Sequence, residues 1–302
     1  MSRNNHIQLV GLRHFNLRCL HPAATFRENA ILHRSGTPQM KPIGVFDSGI
    51  GGLTVVRALR ELLPNENIFY LGDTARVPYG NKSAETVERY GLELARMLMA
   101  EDAKLIVVAC NTVSSVAIPK LRAGISVPVI GVIEPGAHAA IAMTRNRHVG
   151  VIGTRATIRS GAYENALRAL NVHVRVSSVA CPLLVPLIEE GLLDDKLTDL
   201  TIERYLNPMV AGGIDTLVLG CTHYPLLTRA IARSLGDKIQ IVDSAMNCAR
   251  AVKDLLDRQS LATTSTTDGT LRVALTDKPD TFLEIARDSL QLDVGEIQVL
   301  SS

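Results

Sequence analysis

At 302 residues the chain exceeds what one core comfortably organises, so one large or two medium domains are expected; 46% hydrophobic and 21% charged residues exclude a disordered or fibrous protein. A formal net charge of +2 offers no basic excess for a nucleic-acid surface, and no stretch approaches the roughly 18 uninterrupted apolar residues of a membrane span, so neither partner is expected. Five cysteines, at 19, 110, 181, 221 and 248, are too few and too scattered for a secreted disulfide framework and fit a reducing cytoplasm.

Residues 1–40 carry Arg3, Arg13, Arg18, Arg27 and Arg34 against one acid, Glu28, with no apolar run of secretory type. They read as a disordered extension or as an upstream start ahead of Met40, because periodic structure begins just after that residue. Short apolar runs then alternate with amphipathic stretches, the pattern of βαβ units and a mainly parallel sheet. Strands are expected at Ile43–Phe46, Ile68–Leu71, Leu105–Ala109, Val127–Ile133, Val149–Ile152, Val172–Val176, Leu217–Leu219, Ile239–Val242 and Leu271–Leu275. The clearest helix is Glu85–Met99, where Val87, Tyr90, Leu94 and Leu98 recur at three- and four-residue spacing. The Ser- and Thr-rich segment Arg258–Thr270 reads as a loop, and a last helix is expected from about Asp280.

The chain repeats itself. Ile43-Gly-Val-Phe-Asp-Ser-Gly is echoed by Val149-Gly-Val-Ile-Gly-Thr-Arg, and Leu105-Ile-Val-Val-Ala-Cys-Asn-Thr by Leu217-Val-Leu-Gly-Cys-Thr-His, at offsets of 106 (43 to 149) and 111 residues (110 to 221). Similar offsets imply an α/β protein of two similar, pseudo-symmetric domains, each with a mainly parallel sheet flanked by helices. Residues 41–137 plus 244–302 are expected to form the first domain and 138–243 the second. Ligands gather at the carboxyl ends of such strands, so the active site is expected in the cleft between the domains, one cysteine on each side.

Cys110, before Asn111-Thr112, and Cys221, before Thr222-His223-Tyr224-Pro225, each end a buried strand where a helix should begin. A helix N-terminus lowers a thiol from about 8.5 toward neutrality and offers N–H groups to a carboxylate, so both are candidate acid/bases. A lone free cysteine is more often a small core residue. That bland reading is kept for Cys19, Cys181 and Cys248, but two cysteines in matched repeat positions favour chemistry. Asp47-Ser-Gly-Ile-Gly-Gly superficially resembles a dinucleotide fingerprint but lacks its third glycine, so a nicotinamide cofactor is not expected. Asp47 reads either as an N-cap or as a group holding a substrate ammonium or steering a thiol proton. Alone, Asp73-Thr-Ala-Arg-Val-Pro-Tyr-Gly reads as a polar turn, and Glu189 and Glu190 as an exposed helix face.

Together, Phe46-Asp-Ser-Gly-Ile-Gly-Gly-Leu, Asp73-Thr-Ala-Arg-Val-Pro-Tyr-Gly, Ala109-Cys-Asn-Thr, Gly153-Thr-Arg-Ala-Thr and Gly220-Cys-Thr-His-Tyr-Pro-Leu-Leu resemble the glutamate racemases of the aspartate/glutamate racemase family. They stand in family order and span nearly everything from Lys41 onward. The resemblance implies cofactor-independent interconversion of L- and D-glutamate, supplying D-glutamate for peptidoglycan. Cys110 would deprotonate D-glutamate and Cys221 L-glutamate, with Asp47, His223 and Glu189 assisting proton handling. Ser48, Pro78, Tyr79, Gly80, Asn111, Thr112 and Thr222 match substrate-binding positions, together with Asp47 and His223; Thr154 and Thr157 add a contact near the amino group. It also leaves homodimer assembly and activation by a cell-wall precursor open. Related aspartate racemases tend to carry an acid where His223 stands and lack the Asp47–Gly52 opening. A Cys-His hydrolase would leave one cysteine unexplained, and a non-catalytic amino-acid-binding protein would need neither thiol. No pyridoxal-type lysine motif and no metal-ligand spacing occurs, so neither cofactor nor metal is expected.

Overall fold

The computed structural model describes residues 40–236, 238–277 and 281–300; the reading of the amino-terminal stretch, Cys19 included, and the expected helix start at Asp280 lie outside them. In chain order the first elements are β1 (Ile43–Asp47), α1 (Leu53–Leu62), β2 (Ile68–Gly72), α2 (Ala84–Ala100), β3 (Leu105–Val108), α3 (Asn111–Ser114), α4 (Ile118–Gly124) and β4 (Val129–Gly131). There follow α5 (Ile133–Met143), β5 (His148–Gly153), α6 (Arg155–Arg159), α7 (Ala162–Leu170), β6 (Arg175–Ala180), α8 (Leu184–Glu189), α9 (Lys196–Ala211) and β7 (Thr216–Gly220). The chain continues through α10 (Thr228–Leu235), β8 (Gln240–Asp243), α11 (Ser244–Arg258), β9 (Leu271–Leu275), α12 (Thr281–Glu284) and β10 (Ile297–Val299).

Two sheets result, in the orders β10-β9-β2-β1-β3-β4 and β6-β5-β7-β8, with every pairing parallel. The sequence repeat is written into this topology: β2-β1-β3-β4 and β6-β5-β7-β8 are the same order, with β5 standing for β1 and β7 for β3. Two similar α/β halves with mainly parallel sheets are therefore present, as expected. Each half reverses its winding direction between its first and third strands, and a crevice opens at the carboxyl ends there.

Strands buried on both faces read as continuous apolar runs because helices cover each side. In β1, Ile43 and Val45 pack with Val56 and Leu59 of α1 and with Ala249 and Val252 of α11. Phe46 points the other way, among Leu94 and Leu98 of α2 and Val113 of α3. Each such fully buried side chain contributes about 1.5–3 kcal/mol. Helix α2 begins where the Ser83 hydroxyl accepts the Thr86 N–H at 3.3 Å, and it buries Val87, Leu94 and Leu98 as its periodicity predicts. The second sheet has its own two faces, one against α8, α9 and α10, the other against α5 and α7.

Three elements differ from expectation. The sixth strand lies at Arg175–Ala180 rather than Val172–Val176; it is a half-exposed edge, and Val172 is 78% exposed and lies in the turn before it. β4 shortens to three residues because Ile133 already opens α5. The carboxyl-terminal helix is four α-helical residues followed by a π-helical turn, Ile285–Ser289, and the chain then adds β10, an edge strand with no sequence signal.

Candidate active site

The carboxyl ends of β3 and β7 carry Cys110 and Cys221, each beside the strand where its sheet reverses direction. Both cysteines line one cavity of about 210 Å³. That is below the roughly 300–1,000 Å³ of sites for drug-sized ligands and suits a small metabolite. Ser48, Pro78, Tyr79, Gly80, Asn111 and Thr112 enter it from the first sheet, and Thr154, Glu189, Thr222 and His223 from the second. Asp47 and Thr157 stand behind this wall.

Cys110 caps the four-residue α3, and its thiol donates to Ser48 Oγ at 3.4 Å. The expected lowering of this thiol by a helix N-terminus is reversed: burial, reinforced by the charge of Asp47, pushes Cys110 up to about 12. A single-turn helix cannot offset desolvation of a thiolate and a neighbouring anion. Asp47 is fully buried. Its Oδ2 accepts the Gly52 N–H at 2.9 Å and the Gly49 N–H at 3.3 Å, organising the glycine turn, while Oδ1 has no partner. Asp47 is not itself the N-cap of α1, which is Gly52; its carboxylate instead holds the glycine turn that leads into the helix and adds to the field at Cys110.

Cys221 is followed by a 3₁₀ turn, Tyr224–Leu227, and α10 begins only at Thr228, so no helix starts directly at the thiol. Its Sγ lies 3.9 Å from His223 Nδ1. On the far side of the ring, Nε2 lies 3.2 Å from Glu189 Oε1, an ion-pair distance without the alignment of a hydrogen bond. Burial opposes charge on this imidazole, but Cys221 and Glu189 outweigh it and raise His223 to about 10. At neutral pH a histidine cation therefore faces the Cys221 sulfur, while a carboxylate sits beside the Cys110 sulfur. The two halves repeat in topology but are electrostatically unlike.

The Asp73–Gly80 turn is braced from behind. The Tyr79 hydroxyl donates to the Asp73 carboxylate, Arg76 Nε binds the same carboxylate at 2.6 Å, and Arg76 covers the Tyr90 ring at 4.0 Å. Pro78, Tyr79 and Gly80 are thus held along the cavity by a network that faces away from it. Thr112, Thr154 and Thr157 form a hydroxyl triangle across the two sheets, with separations of 3.0, 3.3 and 3.0 Å. Thr54 Oγ1 also crosses, donating to the Thr222 carbonyl at 3.1 Å. Val77, Asn81, Arg155, Cys181, Pro182, Val185, Pro186 and Tyr224 complete the wall. The sequence assigns none of them a role: Val77, Arg155 and Tyr224 stand inside the quoted motifs without one, Cys181 reads as a core residue, and the rest belong to no motif. Among the described residues no group of three His, Cys, Asp or Glu side chains could hold a metal ion.

A family model described as Asp/Glu/Hydantoin racemase matches residues 43–252. The chain belongs to this aspartate/glutamate racemase family. Membership makes it a racemase, an isomerase. One family relative, glutamate racemase from Geobacter metallireducens, is 48% identical over 261 residues, covering 86% of this chain and 97% of its own. The crystal structure of glutamate racemase from Francisella tularensis in complex with D-glutamate superposes with a TM-score of 0.82 at 36% identity, covering 87% of this chain and 98% of that one. Escherichia coli glutamate racemase, solved with L-glutamate and the activator UDP-MurNAc-ala, gives a TM-score of 0.70 at 27% identity, with 87% and 100% coverage. Among the described residues no helix is long and apolar enough to cross a membrane.

Proposed function

We propose that this racemase interconverts L- and D-glutamate without a cofactor, using Cys110 and Cys221 as opposed acid/bases. The observation that carries the reading is the placement of two thiols, at matched positions of a repeated unit and one from each sheet, in the lining of one small cavity. A Cα proton is very weakly acidic, and its removal succeeds only if the charge that develops on the α-carboxylate meets preorganised donors. Inversion then needs a proton delivered to the opposite face, hence a second group.

On this reading Cys221 takes the proton of L-glutamate, and the His223 cation, supported by Glu189, opposes the charge on that sulfur. Cys110, kept protonated by burial and by Asp47, delivers a proton to the other face. With D-glutamate the roles exchange, Asp47 standing ready to relieve Cys110 of its proton. Asn111, Thr112 and Thr222 hold the α-carboxylate. Ser48, Pro78, Tyr79 and Gly80 contact the rest of the substrate, and Thr154 and Thr157 the neighbourhood of the ammonium. The same reading divides the chain into domains at 41–137 with 244–302 and 138–243, α5 straddling the first break. It assigns the product to peptidoglycan synthesis in the cytoplasm, with assembly as a homodimer and a cell-wall precursor of the kind seen with the Escherichia coli enzyme as candidate activator.

Substrate choice is tested by following the Cα proton of L- and D-glutamate, and of both aspartate enantiomers, by NMR in D₂O with purified protein and nothing added. Loss of the glutamate signal with matching loss of optical rotation is expected, with aspartate inert. Reaction of aspartate alone would move the assignment to aspartate racemase, and no reaction with either would remove it.

A further inference from the structure

Asn111, immediately after Cys110, is 2% exposed. Its Oδ1 accepts a 2.7 Å hydrogen bond from the hydroxyl of Tyr163, which belongs to α7 on the other sheet. Its Nδ2 is buried with no partner among the protein groups, although the residue lines the cavity. A carboxamide offers one acceptor face and two donors, and turning it over exchanges them. With Oδ1 engaged by an O–H donor, the amide presents donors and not an acceptor to whatever occupies the cavity. Buried donors without partners are rare in folded proteins, and one beside a cavity calls for a ligand acceptor.

Tyr163 touches the other half of the site as well. A Cβ on Gly220, the residue before Cys221, would lie 3.0 Å from Tyr163 Cε2 and 2.6 Å from the Ile152 carbonyl, so the ring packs through Cε2 against the strand end that carries the second thiol. The ring is 2% exposed and is held among Ile133, Ala137 and Ala140 of α5, the helix that crosses from the first sheet to the second. One side chain therefore touches the residue after one cysteine and the residue before the other.

We propose that Tyr163 is a positioning residue for the reaction: its hydroxyl, bonding from the second half to the first behind the cavity, fixes the Asn111 carboxamide with its donors toward the substrate carboxylate, so that the binding site is complete only when the two halves stand together. This inference rests on the reading that the cavity takes an amino-acid carboxylate. Tyr163 never touches the reacting atoms; it acts through Asn111.

The test is a double-mutant cycle of Tyr163→Phe, Asn111→Ala and the pair, read both as glutamate kinetics and as the Nδ2 proton signals of Asn111, which are assigned by their disappearance in Asn111→Ala. Tyr163→Phe keeps the ring on Gly220 and removes the hydroxyl, with its bond to Asn111 and its contact with Ser244; the Asn111→Ala background separates the two. It is expected to lower kcat/KM about tenfold to a hundredfold, chiefly through KM, the range for a hydrogen bond to a charged group. In the Asn111→Ala background the same change should have less than about a twofold effect, since its route is gone. Wild type should show one sharp, rigid Nδ2 pair, and Tyr163→Phe an averaged or doubled one. Wild-type kinetics in Tyr163→Phe, additive losses in the double variant, or an already averaged Nδ2 pair in wild type would each overturn the proposal. The amide signals need no turnover, so a wild type inert toward glutamate would sink the substrate reading and still leave Tyr163 decided.

Discussion

Replacing His223 with Asn should separate the cation behind Cys221 from everything else in the site. The asparagine amide can keep a donor near the sulfur while the charge is removed. At the 3.9 Å separation of Nδ1 and Sγ, a full charge pair in surroundings of effective dielectric near 20 interacts by about 4 kcal/mol, which caps the loss at about a thousandfold in rate. Acid/base assistance of this kind is generally worth about 10²- to 10⁴-fold. We therefore expect kcat/KM to fall by about 10²- to 10³-fold. Glu189→Gln should do far less, because Glu189 is 39% exposed and its contact with Nε2 is unaligned; solvent-screened pairs of this sort are worth about 0.2–1 kcal/mol, at most a few-fold. Circular dichroism of glutamate, followed from each enantiomer, provides the assay. Mirror-image substrates have equal free energies, so kcat/KM must fall equally in both directions, while kcat should fall further from L-glutamate, whose proton Cys221 takes. A His223→Asn enzyme within fivefold of wild type, or a Glu189→Gln enzyme as damaged as His223→Asn, would refute this account of the histidine.

Because His223 titrates at about 10 in the folded chain and near 6.5 when unfolded, its contribution to stability is complete below about pH 6.5 and fades as pH rises through about 10. Urea unfolding of wild type and His223→Asn should therefore show a gap that narrows from pH 6 toward pH 10; a widening gap would contradict the assignment. Gly51→Ala would place a methyl 2.4 Å from Thr222 Oγ1 and 2.5 Å from His223 Nδ1, across the cleft. It should lower kcat/KM by at least tenfold, with a stability loss of about 1–3 kcal/mol; unchanged kinetics would show that the two walls do not close as described. A chain beginning at Met40 should keep the melting temperature and glutamate turnover of the full chain, and loss of either would assign residues 1–39 a part in the fold or the site.

Much of this architecture is legible in the sequence for a physical reason: a strand buried on both faces is a short apolar run, and a repeated βαβ unit repeats its text. That is why Cys110 and Cys221 pair by offset in the sequence itself. Edge strands are less readable. In β6, Arg-Val-Ser-Ser-Val-Ala is half-wet and alternates weakly, so its apparent position slid toward Val172; in β10, Gln298 and Val299 face solvent and leave no trace. The protonation of Cys110 is not legible locally, because a helix end in the sequence carries nothing of what the tertiary fold adds, full burial and the Asp47 carboxylate. Tyr163 is invisible for a related reason. Nothing in Ala162–Leu170 distinguishes a core tyrosine whose hydroxyl bonds to the other half from one that only fills space.

The two-thiol mechanism is tested most directly by solvent exchange without inversion. Cys110→Ser and Cys221→Ser are each incubated in D₂O with pure L- or pure D-glutamate, and the Cα proton and the optical rotation are followed together. The account predicts that wild type exchanges and racemises both enantiomers, that neither variant racemises, and that any residual exchange is one-handed, of L-glutamate alone in Cys110→Ser and of D-glutamate alone in Cys221→Ser. Racemisation surviving in either variant, or exchange of both enantiomers by a single remaining thiol, would contradict it.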